Sequence, residues 1–271
     1  MVLKTPCNEH VHQLLRIKQS PNMIEESYAA SLHAFRRAVV DALNGVKLTQ
    51  LKKGLTHEQV VPWATYAPWR DDPEFLQVYE MVRSNSLVDL YRCFDLWDLC
   101  RQTGSIHGDI LEIGVWRGAS AAVIGKAASQ GNQTHLWLAD TFEGVPKTGK
   151  NDTFYKGGEH ADTSEHYVKD LLAKLQLSNF TILRGVFPDD TASTMEQVQI
   201  KFCHIDVDAY QSTRDVFAWV WPRMVLGGIV VFDDYGFWGC EGVTTLVNEL
   251  KARGLRTLYN LNGHAVIFRH A

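Results

Sequence analysis

The pattern of apolar and polar positions changes character about two fifths of the way along the chain. Up to about residue 105 it is helical. Apolar residues recur at helical spacing through MIEESYAASLHAFRRAVVDALNGV (23–46), with Ser20-Pro21 as a helix start and Gly45 as a stop. A second helical pattern runs from Pro73 to about Thr103, with a break near Ser84-Asn85-Ser86. Between them, VVPWATYAPWRDDPEF combines prolines with Trp63, Tyr66 and Trp69. This predicts a loop whose rings pack against the main domain, against a second subunit, or along a substrate pocket. From Gly108 the grammar becomes alternating. Short apolar runs (DILEIG, HLWLAD, FTILRG, IKFCHID, GGIVVFDD) are separated by helical segments (GASAAVIGKAAS, SEHYVKDLLAKLQL, YQSTRDVFAWVWPRM, CEGVTTLVNELKARG). Alternation of this kind predicts an α/β fold, a mostly parallel sheet with helices on both faces. The closing strands LRTLYN and HAVIFRH are joined only by LNG, too short for a parallel crossover, so the last strand is expected to be antiparallel. The expected organisation is a helical N-terminal extension, 1–105, and an α/β domain, 106–271.

Composition narrows the partners. Of the 271 residues, 45% are hydrophobic and 21% charged, an ordinary globular balance. The net charge of −4 comes without a basic stripe, which argues against a nucleic-acid partner. No window approaches a membrane span, and the N-terminus lacks the apolar core of a signal peptide, so a cytoplasmic setting is expected. The five cysteines include Cys93 and Cys100, which share a helix face and read as core, and Cys7 near the start; their number and spacing do not suggest a disulfide framework. The aromatic extension favours a homo-oligomer, most simply a dimer.

Ligands of an open α/β sheet bind beyond the carboxyl ends of its strands, near the point where strand order reverses. The residues just after each strand therefore carry the chemistry. After the first come Glu112, Gly114 and Gly118, whose glycines let backbone approach a ligand. After the second comes Asp140, placed to accept hydrogen bonds from ribose hydroxyls. Together they point to an adenosine-containing cofactor. After the third, Val186 and Phe187 are placed to flank an adenine ring. The strongest signal is on the next two strands, which end in Asp206 and Asp208, and in Asp233 and Asp234. Four carboxylates at adjacent strand ends repel one another, and a bound cation removes that cost. All-oxygen ligands suit Mg²⁺ or another hard divalent ion.

From about residue 105 to 270 the chain resembles the macrocin O-methyltransferase family. The resemblance is carried by GDILEIGVWRGAS, LADTFEGVP, ILRGVFPDD, FCHIDVDAYQST, GGIVVFDDYGFWG and GHAVIF, in that order. It implies a class I methyltransferase (Rossmann-like) fold, with a seven-stranded sheet, S-adenosylmethionine as cofactor, a Mg²⁺ site and a small-molecule hydroxyl acceptor, a sugar or phenol of a natural product. By the same resemblance Asp206, Asp233 and Asp234 correspond to metal ligands, Asp208 to a general base and Asp140 to the ribose contact. Glu112 and Gly114 fall in the methionine-side loop, and Asp206 also borders the cofactor. A looser likeness to catechol O-methyltransferases breaks at Ala209, where those enzymes carry lysine, and this favours Asp208 as base.

The long segment EGVPKTGKNDTFYKGGEHADTSEHY, with Tyr155, His160 and His166, is expected to form a lid. His204 is expected to be a satisfied core histidine, and Tyr235, Phe237 and Trp238 to line an acceptor pocket. Competing readings are a nucleotide-dependent oxidoreductase on a similar sheet, disfavoured by the absence of GxGxxG, and a non-catalytic binding protein that keeps the fold.

Overall fold

The structure, a computed structural model, describes residues 26–131 and 134–270. Cys7 and the helix start at Ser20-Pro21 lie outside the described residues. The described residues divide into two compact units, one made of those up to Lys47 with Glu58–Trp63, the other of Leu48–His57 with those from Ala64 onward.

Within the first unit, helix α1 (Glu26–Leu43) is held to the 58–63 segment by local polar contacts. Asn44 Nδ2 donates to the Val61 carbonyl at 3.3 Å, and Arg36 lies 5.8 Å from the centre of the Trp63 ring.

The second unit holds the sheet. Helices α2 (Pro73–Val82) and α3 (Leu90–Gln102) begin on aspartate caps. Asp72 accepts from the Phe75 N–H, and Asp89 accepts from those of Tyr91 and Arg92, satisfying otherwise orphaned donors. The expected break in the second helical pattern is a 3₁₀ turn, Arg83–Asn85. Then follow β1 (Asp109–Ile113), α4 (Ala119–Ala128), β2 (Leu136–Asp140), α5 (Glu165–Lys174), β3 (Phe180–Arg184), β4 (Ile200–Ile205), α6 (Tyr210–Val220), β5 (Met224–Phe232), α7 (Glu241–Ala252), β6 (Thr257–Tyr259) and β7 (Ala265–Phe268). The spatial order is β3-β2-β1-β4-β5-β7-β6. The first five strands pair in parallel and β7 runs antiparallel to both neighbours, as the short LNG connection requires.

Two apolar layers sandwich the sheet. On one face Ile110, Leu138, Phe202 and Val231 join Phe75, Leu96, Trp97 and the small residues of α4. On the other, Leu111, Cys203, Val230 and Phe232 meet Val216, Phe217, Leu246 and Val247 of α6 and α7. Central β4 is buried along its whole length, as a strand covered on both faces must be. Cys93 and Cys100 belong to the first layer, and burial pushes both thiols up to about 12. Residues 64–105, placed in the N-terminal extension on sequence grounds, therefore fold in the same compact unit as the sheet. Among the described residues no helix is long and apolar enough to cross a membrane.

Candidate active site

Strand order reverses between β1 and β4, and a cavity opens beyond their carboxyl ends. Its wall takes in Gly114, Asp140, Phe187, Asp206, Asp208, Asp233 and Asp234 of the sequence-predicted residues. Gly114 has φ 89°, and a Cβ there would fall 1.6 Å from the Asp206 carbonyl oxygen, so the β1 and β4 loops meet only because this position has no side chain. Asp140 ties that turn down. Its Oδ2 accepts from the Val115 and Trp116 N–H groups at 2.8 Å each, and Oδ1 accepts from Phe142 at 2.6 Å. Burial pushes this carboxyl up against the pull of those three donors.

Three predicted cofactor residues do not reach the cavity. Glu112 faces the apolar layer beneath it, because strand alternation turns it away, and its Oε1 pairs with His204 Nδ1 at 2.8 Å. Gly118 caps α4 with φ 85° and packs against Val168. Val186 gives its N–H to Asp190 Oδ2 at 2.8 Å, while its neighbour Phe187 turns inward and meets Trp219 edge-on at 4.9 Å. The aromatic residues after β5 do not line the cavity either. The Tyr235 hydroxyl donates to Asn248, Phe237 lies under the Arg92 guanidinium, and Trp238 donates to the Thr49 carbonyl.

The four strand-end aspartates divide into two groups. Asp233 is almost wholly buried and accepts from Arg92 Nη1 at 2.6 Å. Burial pushes its carboxyl up, but His264, Arg92 and His204 outweigh that and hold it below the usual range. Asp206, Asp208 and Asp234 face the cavity and all three carboxyls are raised. Burial is the main cause in each; charge repulsion adds to it, from Asp233, Asp234 and Asp208 on Asp206, and from Asp233 and Asp208 on Asp234. Among the described residues, two sets of ligand atoms lie within 4.8 Å of one another: Asp208, Asp234 and Cys240, and His204, Asp233 and His264. The expected triad of Asp206, Asp233 and Asp234 is neither set; all three line the cavity, and Asp233 is held by Arg92. Burial and the neighbouring Asp234 and Asp208 push the Cys240 thiol far up, so it stays protonated and unsuited to a hard cation.

Sequence reading missed Arg92. It is 6% exposed and sits in a helix outside the resembling region, yet it donates to Asp233 and Asp89 and lies 3.4 Å from Asp234. Asp89 at i−3 on the same helix was the available hint, since a buried arginine needs such partners. Tyr155 and His160 of the long loop also line the cavity, the tyrosine hydroxyl 3.5 Å from His160 Nε2. Burial and the Asp208 carboxylate raise the Tyr155 phenol. The far end of the loop is clasped to the β1–α4 turn, where Asp162 accepts from Trp116 Nε1 at 2.9 Å and from Arg117 at 2.7 Å. His166 is exposed and pairs with Asp170.

The macrocin-O-methyltransferase (TylF) family model matches residues 36–270. The chain belongs to this family. It is an S-adenosylmethionine-dependent O-methyltransferase, which sets the oxidoreductase and binding-protein readings aside. One similar protein is the 8-demethyl-8-(2,3-dimethoxy-alpha-L-rhamnosyl)-tetracenomycin-C 4'-O-methyltransferase of Streptomyces olivaceus, 27% identical over 69% of this chain and 76% of that protein. Another is the mycinamicin III 3''-O-methyltransferase of Micromonospora griseorubida, 32% identical over 50% of this chain and 58% of the relative, less than two thirds of its length. The solved O-methyltransferase NovP shares the fold, with a TM-score of 0.59 at 23% identity over 69% of this chain and 82% of its own.

Proposed function

We propose that the protein transfers a methyl group to a hydroxyl of a small-molecule natural product, a sugar or phenol oxygen, with a hard divalent cation assisting and Asp208 as base. The observation that carries this is the cluster of Asp206, Asp208 and Asp234 on one cavity wall, with Arg92 the one arginine or lysine beside them among the described residues. Three half-buried carboxylates with raised carboxyls and oxygen-only donors suit such a cation, and Asp206 and Asp234 would hold it. The names of the similar methyltransferases, a rhamnosyl-tetracenomycin enzyme among them, support a glycosylated acceptor.

When bound, S-adenosylmethionine supplies a methyl group on positively charged sulfur, and the cation supplies charge that favours the ionised acceptor. The chain does the rest. Gly114 lets the β1 turn pass close to Asp206, and Asp140 holds that turn at the cavity wall by accepting from the Val115 and Trp116 N–H groups. Asp208 takes the acceptor proton, and its raised carboxyl brings it nearer the operating pH, where a general base works best. Tyr155 and His160 cover the acceptor side, and the 141–164 loop limits water access. Close placement of oxygen and methyl carbon supplies much of the rate.

The test is production of S-adenosylhomocysteine with a panel of glycosylated and phenolic acceptors. Asp208→Asn is expected to keep cofactor affinity and lose about 10²–10⁴ in turnover. Near-normal turnover removes Asp208 as base, and activity untouched by EDTA removes the cation. A homo-oligomer is part of the same proposal. Helix α1 leaves Leu32, Phe35, Val39 and Leu43 exposed along one face, and light scattering should give a particle heavier than one chain.

A further inference from the structure

The middle of the 141–164 loop is driven into the molecule at one carboxyl. Asp152 is 7% exposed, with a half-buried residue on either side. A loop carboxyl is buried only against partners. Asp152 Oδ1 accepts from the Tyr210 N–H at 2.8 Å, and Oδ2 accepts from the Gly149 N–H at 2.8 Å. Helix α7 leaves room for it, since a Cβ on Gly242 would fall 2.1 Å from Asp152 Oδ1. The next residue is secured from the opposite side. Glu241, wholly buried in the first turn of α7, accepts from the Thr153 hydroxyl, and its other oxygen accepts from the Gly239 N–H at 3.0 Å. Residues 152 and 153 are thus wedged between the turns after β4 and β5, which carry Asp208 and Asp234.

Tyr210 is the first residue of α6, so its N–H is one of the donors that a helix leaves orphaned. The residue before it is Ala209, which has no side-chain oxygen to cap the helix. Asp152 supplies the missing acceptor from a distant segment. What precedes this cap is strained. The Ala209 N–H donates to the Val207 carbonyl, closing a three-residue turn centred on Asp208 at φ 58°. A γ-turn with positive φ at its centre is the rare form, and a non-glycine residue stays in it only where its surroundings hold it. Ala209 is wholly buried on one side of the turn, and Tyr210 beyond it is fixed by Asp152. Asp208 itself lines the cavity, whereas Asp152 does not.

We infer, resting on the reading of Asp208 as base, that Asp152 is a positioning residue for methyl transfer. By capping α6 from the loop it holds the strained turn that aims Asp208 into the cavity. It acts through Asp208, having no reach of its own to the reacting atoms.

The test is kinetic. It uses the full-length protein with Mg²⁺ and whichever acceptor of the panel above turns over fastest. Asp152→Ala should lower kcat about tenfold or more, with KM for S-adenosylmethionine shifted by less than about threefold. The double variant Asp152→Ala, Asp208→Asn should lie within about threefold of Asp208→Asn alone, because a misplaced base and an absent one fail at the same step. Native kcat in Asp152→Ala, or losses that multiply in the double variant, overturns the positioning role and leaves the base standing. Near-native turnover in Asp208→Asn removes the base, and the positioning role with it. If Asp152→Ala does not fold, or no acceptor turns over, amide exchange in Asp152→Ser decides, since serine is too short to reach Tyr210. Exchange about tenfold faster over residues 206–212, with residues 109–113 unchanged, supports the role; equal exchange rejects it.

Discussion

Replacing Arg92 with methionine isolates the energetics of the cavity floor. The guanidinium donates to Asp233 at 2.6 Å, to Asp89 at 2.9 Å and to the Leu87 carbonyl at 3.1 Å, and lies 4.7 Å from the Phe237 ring. Methionine keeps an apolar stem against Phe237 but removes the charge and every donor. Asp89 is 41% exposed on its side chain, so its lost pair is screened and contributes about 0–1 kcal/mol. The Leu87 carbonyl loses one hydrogen bond, about 1 kcal/mol. Asp233 dominates, because it is left as a buried charge. Breaking one side of such a pair costs about 3–5 kcal/mol, and with the two smaller losses the total should be about 4–7 kcal/mol.

Urea unfolding of the apo protein in EDTA measures the loss. The double variant Arg92→Met, Asp233→Asn should be less unstable than the sum of the singles by about 2 kcal/mol, since the two groups touch. The pH dependence follows by sign. Asp233 is held below its unfolded value, so its contribution is present above that value and lost as pH falls through the folded one. Without Arg92 the carboxyl rises, so the deficit is largest near neutral pH and shrinks as the solution becomes acidic. A loss under about 1 kcal/mol at neutral pH, or strictly additive singles, would refute the assignment of Arg92 as the counter-ion of Asp233.

Two further outcomes follow from the same carboxylates and their loop. Asp234 has a raised carboxyl, so its contribution is present below the unfolded value and lost as pH rises through the folded one. Asp234→Asn should therefore melt about 2 °C or more above the native protein in EDTA at neutral pH, and Mg²⁺ should raise the native melting point but not the variant's; equal melting points in EDTA contradict the repulsion. Gly114→Ala combines a left-handed backbone, φ 89°, with a Cβ 1.6 Å from the Asp206 carbonyl oxygen. Calorimetry should show at least tenfold weaker S-adenosylmethionine binding and a loss of about 3 kcal/mol in stability; native affinity counts against the close-approach role.

What was readable from sequence and what was not follow from range. The strand–helix alternation, the antiparallel last strand and the aspartates after β4 and β5 are set by local periodicity and by short connections, and the structure reproduces them. So is Asp140, whose three donors come from adjoining turns. Glu112 shows what strand alternation adds to strand-end position: counting faces from Ile113 turns it inward, toward His204. Val186 and Phe187 share a loop, and only the turn held by Asp190 decides which of them faces the cavity. Arg92 and Asp95 lay beyond reach for a different reason. They meet Asp233 and His264 across separations that no periodicity links, through the packing of α3 on the sheet. That packing also changes the electrostatic logic. The sequence presents four equivalent acids that together need a cation. In the fold one of them, Asp233, is already matched by Arg92 at one oxygen, which His264 also faces, and has His204 beside the other. The raised carboxyls are therefore those of Asp206, Asp208 and Asp234, while Asp233 keeps its charge beside Arg92.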